Sequence, residues 1–487
     1  MFRLSNGAVS LNKNGFVDIL ESNPIVVWDK KVPDTELDKF KKIVEKKYGQ
    51  HFNSYWDFHK WSVDNYTDFW KEIWHFFDVI ASKPYDEILV KYDLFKTHGR
   101  FFSLFIATVL LEDFLQSGRS SDGTLPELRF EQLPFDHPIA INFTSGTTGL
   151  PKGVLHSAGT FIAVLRDFGL HLNLRNGDTV YTYCPVGWSV WDNPIPSLAL
   201  GVKLFLFNGS AEYKMKGHTL WDCMSKYKVT YACLTPAFLD SLENAGVEPE
   251  PGTYFDSLKI ITLGASPSKI RNFEFLYNKV KKNLFVSSIY GATEVFGAFS
   301  GFDLNMPGYS SECQVPALGV DLHVFDTEGR SVVGKRGEMV IKTPSPSFPV
   351  YLWQDENNEK LKETYFTKYP GIWSQNDEGW INPKTKGIVV IGRSDDTLKQ
   401  RGERFCAGDV YFGIDRIEEL EDFICVGQDK WTGETRAVLF VKLKIGYKFT
   451  PELRDKIAET IKREVSDDYI PQLILEIPDI PVSIVSS

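Results

Sequence analysis

Short apolar runs that alternate with helical segments from about residue 138 onward restrict the fold of this chain more than any other feature. Five runs have the length and composition of strands, at residues 179–183, 202–207, 229–234, 258–263 and 284–290. Strands that alternate with helices are typical of layered α/β domains. Because such sheets bind ligands beyond the carboxyl ends of their strands, the turns after these runs are the first places to look for a site.

The segments on either side of this region have different patterns. Residues 34–93 are aromatic and helical, and their apolar side chains recur at helical spacing. We interpret that recurrence as core packing, and its members are Leu37, Phe40, Ile43, Val44, Phe69, Trp70, Ile73, Trp74 and Phe77. Runs at 322–325 and 338–342 predict a smaller β unit. Beyond residue 396, runs at 423–426 and 437–443 with a helix at 451–465 predict a small α+β domain.

A change in composition near residues 390–404 predicts a domain boundary. The apolar run Ile388-Val-Val-Ile391 is followed by Gly392-Arg-Ser-Asp-Asp396 and a basic stretch, so we place a hinge at Asp395. The predicted divisions are an aromatic helical region at 1–95, an α/β domain at 96–394 and a small α+β domain at 395–487.

Bulk composition is that of a globular protein, with 487 residues and a formal net charge of −10. This charge disfavours a general nucleic-acid binder, which would carry a basic excess. The longest apolar run, 101–111, is too short to span a bilayer, and residues 1–7 lack the apolar core of a signal peptide. The six cysteines are scattered, as expected of reduced thiols. We therefore expect a cytosolic protein with no nucleic-acid partner and no membrane insertion.

The strongest chemical signal is a hydroxyl-rich loop, residues 144–152. It contains four hydroxyl side chains, two glycines and a lysine: Thr144, Ser145, Gly146, Thr147, Thr148, Gly149 and Lys152. Glycines let the backbone curl around an anion, hydroxyls donate hydrogen bonds, and lysine adds positive charge. The spacing is not that of a Walker A loop. An ordinary polar turn is the alternative, because Gly, Ser and Thr dominate turns.

The string Thr-Ser-Gly-Thr-Thr-Gly-x-Pro-Lys-Gly within and just after this loop resembles the signature loop of the adenylate-forming superfamily of acyl-CoA synthetases and luciferases. The resemblance implies an α/β fold with a large multi-layer adenylate-forming N-terminal domain and a small C-terminal domain. It also implies that the loop binds the phosphates of ATP and that Lys152 is catalytic.

Two further motifs follow predicted strands, as the resemblance requires. The first is Tyr290-Gly-Ala-Thr-Glu294. The resemblance implies that Glu294 binds Mg²⁺, that Thr293 contacts the α-phosphate and that Tyr290 packs near the adenine. Alone, this five-residue match could equally be a capped turn. The adenine pocket is implied to be lined by the turn Gly264, Ala265, Ser266 and Pro267.

Three charged residues complete the implied nucleotide site. Asp377 matches an aspartate that accepts both ribose hydroxyls, Arg393 matches a second ribose contact, and Arg404 matches a catalytic arginine near the phosphates. Asn376 stands where the superfamily usually has glycine. Each residue taken singly could be an ordinary surface charge, but the motifs occur in the superfamily's order.

Other segments are similar to the acetoacetyl-CoA synthetases within that superfamily. They include Asn53-Ser-Tyr-Trp-Asp-Phe-His-Lys-Trp61, Lys83-Pro-Tyr-Asp-Glu87 and Tyr365-Phe-Thr-Lys-Tyr-Pro-Gly-Ile-Trp373. The implied reaction consumes acetoacetate, ATP and coenzyme A, with Mg²⁺ as the metal. Trp188 and Trp191 would wall the acyl pocket and favour a small acid, although core packing explains them equally well.

The chain departs from the family pattern at two places. Only about twenty residues separate the pattern that ends near Val90 from its resumption near Leu111, where the family carries most of an α/β subdomain. Ser487 falls where the family places a catalytic lysine. An uncovered apolar face and an impaired adenylation step are the expected consequences. The alternatives to an acetoacetate ligase are thus an impaired nucleotide-binding or regulatory relative, and a ligase for another short acid such as acetate.

Overall fold

The structure is a computed structural model. It describes residues 24–81, 116–127, 129–144, 152–184, 188–207, 211, 218–355, 357–394, 398–400, 403–405, 407–429 and 435–480.

A five-stranded parallel sheet forms the centre of the α/β region. In spatial order its strands are Lys203–Phe205, Thr179–Thr182, Tyr231–Leu234, Ile260–Leu263 and Phe285–Ser288. All five predicted strands are therefore confirmed, each shorter than its apolar run. Alternate residues enter different cores, since Ile260 and Ile261 belong to apolar clusters on opposite faces. A sheet covered on both faces explains why these runs are almost continuously apolar.

Helices surround this sheet and continue into the neighbouring regions. They are Gly159–Leu165 (continued by a π-helical turn, Arg166–His171), Ser189–Asp192, Leu220–Lys226, Pro236–Asn244, Ile270–Phe275 (continued by Leu276–Val280), Glu359–Phe366, Ala407–Ile414 and Pro451–Glu464, with 3₁₀ turns at Ile195–Leu200, Thr293–Val295 and Asp467–Tyr469. None of the helices in the described residues is both long enough and apolar enough to cross a membrane.

The aromatic N-terminal region forms three helices, Glu36–Tyr48, Tyr55–Asp64 and Tyr66–Phe76. Capping boxes at Thr35 and Ser54 satisfy backbone N–H groups at the start of the first two. The core-packing interpretation is confirmed for most of the predicted apolar residues, which are buried or half-buried. It is wrong for Ile43, which is 45% exposed because it lies on the outer side of its helix.

Two sheets form the β units, one antiparallel and one mixed. The first is ordered Leu322–Phe325, Arg336–Ile341, Trp373–Ile381 and Ile388–Arg393, and includes the predicted smaller β unit. In the C-terminal region, Leu420–Asp429 pairs with Thr435–Leu443, which pairs in parallel with Leu473–Glu476. Short pairs complete the described strands: Val26–Trp28 with Gly308–Tyr309, Gly291–Ala292 with Gly297–Ala298, Ser300–Gly301 with Val315–Pro316, and Leu398–Gln400 with Glu403–Phe405.

Ion pairs join the C-terminal region to the rest of the molecule. Arg336 donates to Asp409 at 2.9 Å and also binds both carboxylate oxygens of Glu378. A second group joins Lys269 and Arg271 to Asp415, each at 3.0 Å. All of these side chains are mostly buried, so the pairs are shielded from salt more than surface pairs are.

A further three-stranded sheet presents apolar side chains to solvent. Strand Pro138–Phe143 pairs with Gly153–Ser157, which in turn pairs with Tyr351–Leu352. Three alternate residues on the first strand are exposed: Ile139 at 41%, Ile141 at 43% and Phe143 at 58%. Because alternate residues share one face, these side chains form an apolar strip immediately before the hydroxyl-rich loop.

Candidate active site

The two turns predicted to meet the adenine lie side by side at the carboxyl ends of neighbouring strands. Leu263 pairs with Ser288 in the parallel sheet, and the Ile289 N–H donates to the Leu263 carbonyl at 2.8 Å. A Cβ on Gly264 would lie 2.9 Å from the Ile289 side chain, so the close approach of the two turns needs glycine there. Ala265, Ser266 and Pro267 follow, exposed.

A tight hairpin carries Thr293 and Glu294. Gly291–Ala292 pairs with Gly297–Ala298, and a Cβ on Gly291 would lie 2.2 Å from the Gly297 carbonyl oxygen. Thr293 and Glu294 start the 3₁₀ turn at its tip, both half-buried. A buried ion pair supports the hairpin, since Asp167 accepts from the Ala298 N–H at 3.1 Å and Arg166 donates to the Ala298 carbonyl at 2.9 Å.

Phe296, directly after that turn, has a strained backbone. Its φ of 44° lies in the left-handed region, which aromatic residues rarely adopt. Asn193 donates to its carbonyl at 2.8 Å, and its ring lies 5.2 Å from that of His156. Burial lowers the pKa of His156 to about 4, so the imidazole is neutral at physiological pH and behaves as a packing group.

Tyr290 and Asp377, predicted for the same nucleotide, meet directly. The Tyr290 hydroxyl donates to Oδ2 of Asp377 at 2.8 Å, although 87 residues separate them. Gln375 donates to the same oxygen at 2.7 Å and accepts from the Trp373 indole at 3.1 Å. Arg393 is the register partner of Asp377 on the neighbouring strand. The structure therefore brings three predicted residues together and adds Gln375, which the sequence analysis missed.

The pKa values in this network are shifted mainly by burial. Burial raises the pKa of Asp377, while hydrogen bonds from Gln375 and Tyr290 and the charge of Arg393 oppose the shift. Burial also raises the pKa of Tyr290, and the nearby Asp377 charge adds to it. The phenol therefore stays protonated and remains a donor to the carboxylate.

Asn376 has a backbone conformation that glycine adopts most easily, and glycine is the residue that the superfamily usually has at this position. Its φ is 62°, in the left-handed region, which asparagine tolerates better than most residues. Its carbonyl accepts from the Ser394 N–H at 2.7 Å. The strand position before Asp377 therefore has a backbone conformation suited to glycine, although the residue is asparagine.

Glu294 has a partner that sequence reasoning did not assign. The Tyr365 hydroxyl donates to Oε1 of Glu294 at 2.7 Å. The Tyr365 ring stacks on Trp373 with ring centroids 4.2 Å apart and planes 9° apart. Tyr365 lies in a run that resembles the acetoacetyl-CoA synthetases, which was the available signal.

Thr293 contacts the helix that carries the two predicted pocket tryptophans. Its hydroxyl lies 3.2 Å from that of Ser189, the first residue of helix Ser189–Asp192. Trp188 and Trp191 flank Ser189 and are half-buried. This arrangement is compatible with both readings of the tryptophans, so their place in an acyl pocket stays a prediction.

Only the base of the hydroxyl-rich loop belongs to the described structure. The Thr144 N–H donates to the Lys152 carbonyl at 2.9 Å, closing a hairpin whose flanking pair is Phe143 and Gly153. Lys152 is exposed. Outside the described residues lie the loop members Ser145, Gly146, Thr147, Thr148 and Gly149.

The predicted hinge, the side chain of the predicted catalytic arginine and position 487 lie outside the described structure. Asp395, Ser487 and the side chain of Arg404 are not among the described parts. Ser394, directly before the predicted hinge, donates through its hydroxyl to buried Glu338 at 2.7 Å. The other oxygen of Glu338 accepts from Ser374 at 2.6 Å. The last described residue before the predicted hinge is therefore held on the four-stranded sheet.

The donor set at the hairpin tip fits Mg²⁺ only together with a phosphate-bearing ligand. Among the described residues, no group of three His, Cys, Asp or Glu side chains could hold a metal. Mg²⁺ at nucleotide sites is usually bound by one or two carboxylates, substrate phosphates and water. Glu294, with Thr293 beside it, satisfies that requirement.

Comparison with known families agrees with this geometry. A family model described as "AMP-binding enzyme" matches residues 103–352, about half of the chain. The chain belongs to the AMP-binding enzyme family. The matched part includes the hydroxyl-rich loop, the parallel sheet and the hairpin with Glu294.

Relatives of this AMP-binding chain include acetoacetyl-CoA synthetases. The one from Mus musculus is 38% identical and the one from Rhizobium meliloti (strain 1021) 33%, each match covering 77% of this chain and 56% of the relative. The chain thus spans about half the length of these curated relatives. The solved structure of acetoacetyl-CoA synthetase from Streptomyces lividans superposes with a TM-score of 0.81 at 22% identity, covering 95% of this chain and 94% of the other. The predicted adenylate-forming α/β fold is therefore confirmed.

Proposed function

We propose that this chain activates acetoacetate with ATP and transfers the acetoacetyl group to CoA, giving acetoacetyl-CoA, AMP and pyrophosphate. The observation that carries the proposal is the hydrogen bond between Tyr290 and Asp377, which joins two residues predicted to contact the same nucleotide although 87 positions separate them. The choice of acid is supported by relatives named acetoacetyl-CoA synthetase at 33–39% identity.

In the proposed site, ATP lies across the carboxyl ends of the parallel strands. The turn 264–267 and Tyr290 contact the adenine, and Asp377 accepts the ribose hydroxyls with Arg393 beside it. The proposal assigns Thr144 to Gly149 and Lys152 to the phosphates, to which Arg404 would add a positive charge. A carboxylate at the ribose and cations at the phosphates match the charges of the nucleotide.

The first step forms a mixed anhydride. A carboxylate oxygen of acetoacetate attacks the α-phosphorus, a new P–O bond forms, the bond to the bridging α–β oxygen breaks, and pyrophosphate leaves. Bound at Glu294, Mg²⁺ would neutralise phosphate charge. Thr293 orients the α-phosphate, and Lys152 offsets charge that develops on the phosphate oxygens. Such chemistry depends chiefly on positioning and charge stabilisation.

In the second step, the CoA thiolate attacks the acyl carbonyl, the C–S bond forms, and the acyl C–O bond to AMP breaks. We propose that the C-terminal region rotates about Asp395 between the steps. Trp188 and Trp191 limit the length of the acid. A cytosolic location, where both ATP and CoA occur, is part of the same proposal.

Acetoacetate-dependent exchange of labelled pyrophosphate into ATP tests the first step, and AMP release on CoA addition tests the second. We expect exchange with acetoacetate that exceeds exchange with acetate or butyrate. A folded protein that binds ATP but shows no exchange with any of these acids would contradict the proposal and favour an impaired nucleotide-binding relative. Equal exchange with acetate would contradict the choice of acetoacetate as the acid substrate.

A further inference from the structure

We propose that Tyr365 is a positioning residue, whose hydroxyl holds the Glu294 carboxylate in the orientation that binds the metal of Mg·ATP. The inference rests on the proposed function insofar as that function makes Glu294 the magnesium ligand. It assigns a role to a residue 71 positions away in sequence.

The contact is short and has a definite direction. The Tyr365 hydroxyl donates to Oε1 of Glu294 at 2.7 Å, within the range of strong hydrogen bonds to carboxylates. A carboxylate has two oxygens, so a donor fixed at Oε1 sets the direction in which Oε2 is presented. Without that donor, the half-buried side chain of Glu294 could turn about its terminal torsion, which has broad minima.

The tyrosine itself is held rigidly. Its ring stacks on Trp373 with centroids 4.2 Å apart, and Trp373 stacks on Phe348 with centroids 4.6 Å apart. The Trp373 indole also donates to Gln375 at 3.1 Å. Stacked aromatic rings have few rotamers to lose, so the hydroxyl is placed at little entropic cost.

The same aromatic stack links the metal carboxylate to the ribose contact. Trp373 and Asp377 lie on one strand, Trp373–Ile381, and Gln375 connects them by hydrogen bonds. Tyr290 and Glu294 lie in one five-residue segment. Tyr290 donates to Asp377 on this strand, and Glu294 accepts from Tyr365, whose ring stacks on Trp373 of the same strand. Glu294 and Asp377, which would contact opposite ends of the nucleotide, are therefore both held by side chains of the same packed strand and aromatic stack.

Tyr365→Phe removes the hydroxyl and keeps the stacked ring, so it isolates the contact. The matched control is Tyr369→Phe, four residues on, whose half-buried ring packs edge-on against Phe325. Calorimetry with a non-hydrolysable ATP analogue would measure binding at increasing free Mg²⁺ and in EDTA. We expect Tyr365→Phe to need about tenfold more Mg²⁺ for half-maximal enhancement of binding, as for loss of one hydrogen bond to a charged group. Its affinity in EDTA should stay unchanged.

Three results would overturn the inference. One is a Mg²⁺ dependence of Tyr365→Phe that matches the control. Another is an equal loss of affinity with and without Mg²⁺, which would indicate a purely structural role. The third is a wild-type protein whose binding of the analogue does not respond to Mg²⁺. Failure of the proposed function has a different signature, because acetoacetate-dependent exchange would be missing while the Mg²⁺ dependence of binding was intact.

Discussion

The two sides of the candidate nucleotide site are built in different ways. On one side, Tyr290, Gln375, Asp377, Glu294 and Tyr365 form a mostly buried network in which each polar group has a protein partner. On the other, the base of the hydroxyl-rich loop ends in Lys152, an exposed side chain. We call these the network side and the loop side.

The two sides therefore differ in when their side chains lose conformational freedom: during folding on the network side, and on ligand binding on the loop side. The network side is ordered during folding, so its groups lose little freedom when a nucleotide binds. An exposed lysine keeps its rotamer freedom until it meets a phosphate, and ordering it costs up to about 2 kcal/mol. Changes on the network side should therefore alter stability, upward or downward, as well as chemistry, whereas changes on the loop side should affect ligand binding alone.

The largest effect should come from Glu294→Gln, which changes the network side at the proposed metal ligand. We expect the rate of pyrophosphate exchange to fall by about 100-fold or more, the loss typical of removing one preorganised electrostatic group. Exchange kinetics at saturating ATP measure it. Glu359→Gln, at an exposed site on helix Glu359–Phe366, is the control and should exchange at the wild-type rate. A fall in the exchange rate of less than threefold would show that Glu294 is not the metal ligand.

Asp377→Asn should weaken ATP binding by about 10- to 100-fold, because hydrogen bonds to a charged group contribute roughly 1.5–3 kcal/mol. The melting temperature should not fall in parallel. Burial raises the folded-state pKa of Asp377, so the ionised carboxylate costs stability near neutral pH and the neutral amide avoids that cost. Calorimetry and thermal unfolding measure the two quantities, with exposed Asp455→Asn as control. Unchanged affinity for ATP would remove Asp377 from the ribose site.

Lys152→Met tests the loop side. We expect about tenfold weaker binding of ATP, a loss close to that of one exposed charge–phosphate contact, and no change in melting temperature because Lys152 is exposed. The same change at exposed Lys259 serves as the control. A melting temperature that falls by several degrees in Lys152→Met alone would contradict the contrast between the two sides.

The pH dependence of binding should also differ between the sides. Because burial raises the pKa of Asp377, its carboxylate takes up a proton at a higher pH than an ordinary aspartate as the solution is acidified. A protonated carboxyl cannot accept both ribose hydroxyls, so ATP affinity should fall severalfold as the pH is lowered. Affinity in Asp377→Asn should be flatter over the same range. Parallel pH profiles for the two proteins would exclude Asp377 as the titrating group.

Asn376→Gly should have the smallest effect. Because Asn376 already adopts the left-handed conformation that glycine favours, stability should change by less than about 1 kcal/mol and ATP affinity should be unchanged. Asn376→Val is the informative contrast, since a β-branched residue is strained at positive φ. If valine were tolerated as well as glycine, the backbone at Asp377 would not depend on this conformation.

Sequence patterns predicted the parts of the fold that depend on local chemistry. Apolar runs located all five strands of the parallel sheet, and motif order led to Tyr290 and Asp377, which are in contact. The partners of those residues were not predictable. Tyr365 reaches Glu294 across 71 residues and Ser189 reaches Thr293 across 104, and no periodicity links such segments. Contacts of this kind are set by how sheets and helices pack, which a single sequence does not encode as a visible pattern.

In the proposed reaction, the contacts of Glu338 would set the point along the chain at which rotation of the C-terminal region begins. Its carboxylate holds Ser374 and Ser394, and Ser394 is also bonded through its N–H to Asn376. The chain is therefore clamped to the four-stranded sheet up to Ser394, one residue after Arg393. In the proposed reaction, the turning axis would pass beyond this clamp, and the ribose contacts would stay still while the C-terminal region swings. Loosening Glu338 would move the axis into the nucleotide site, so that each swing would also disturb the bound adenylate.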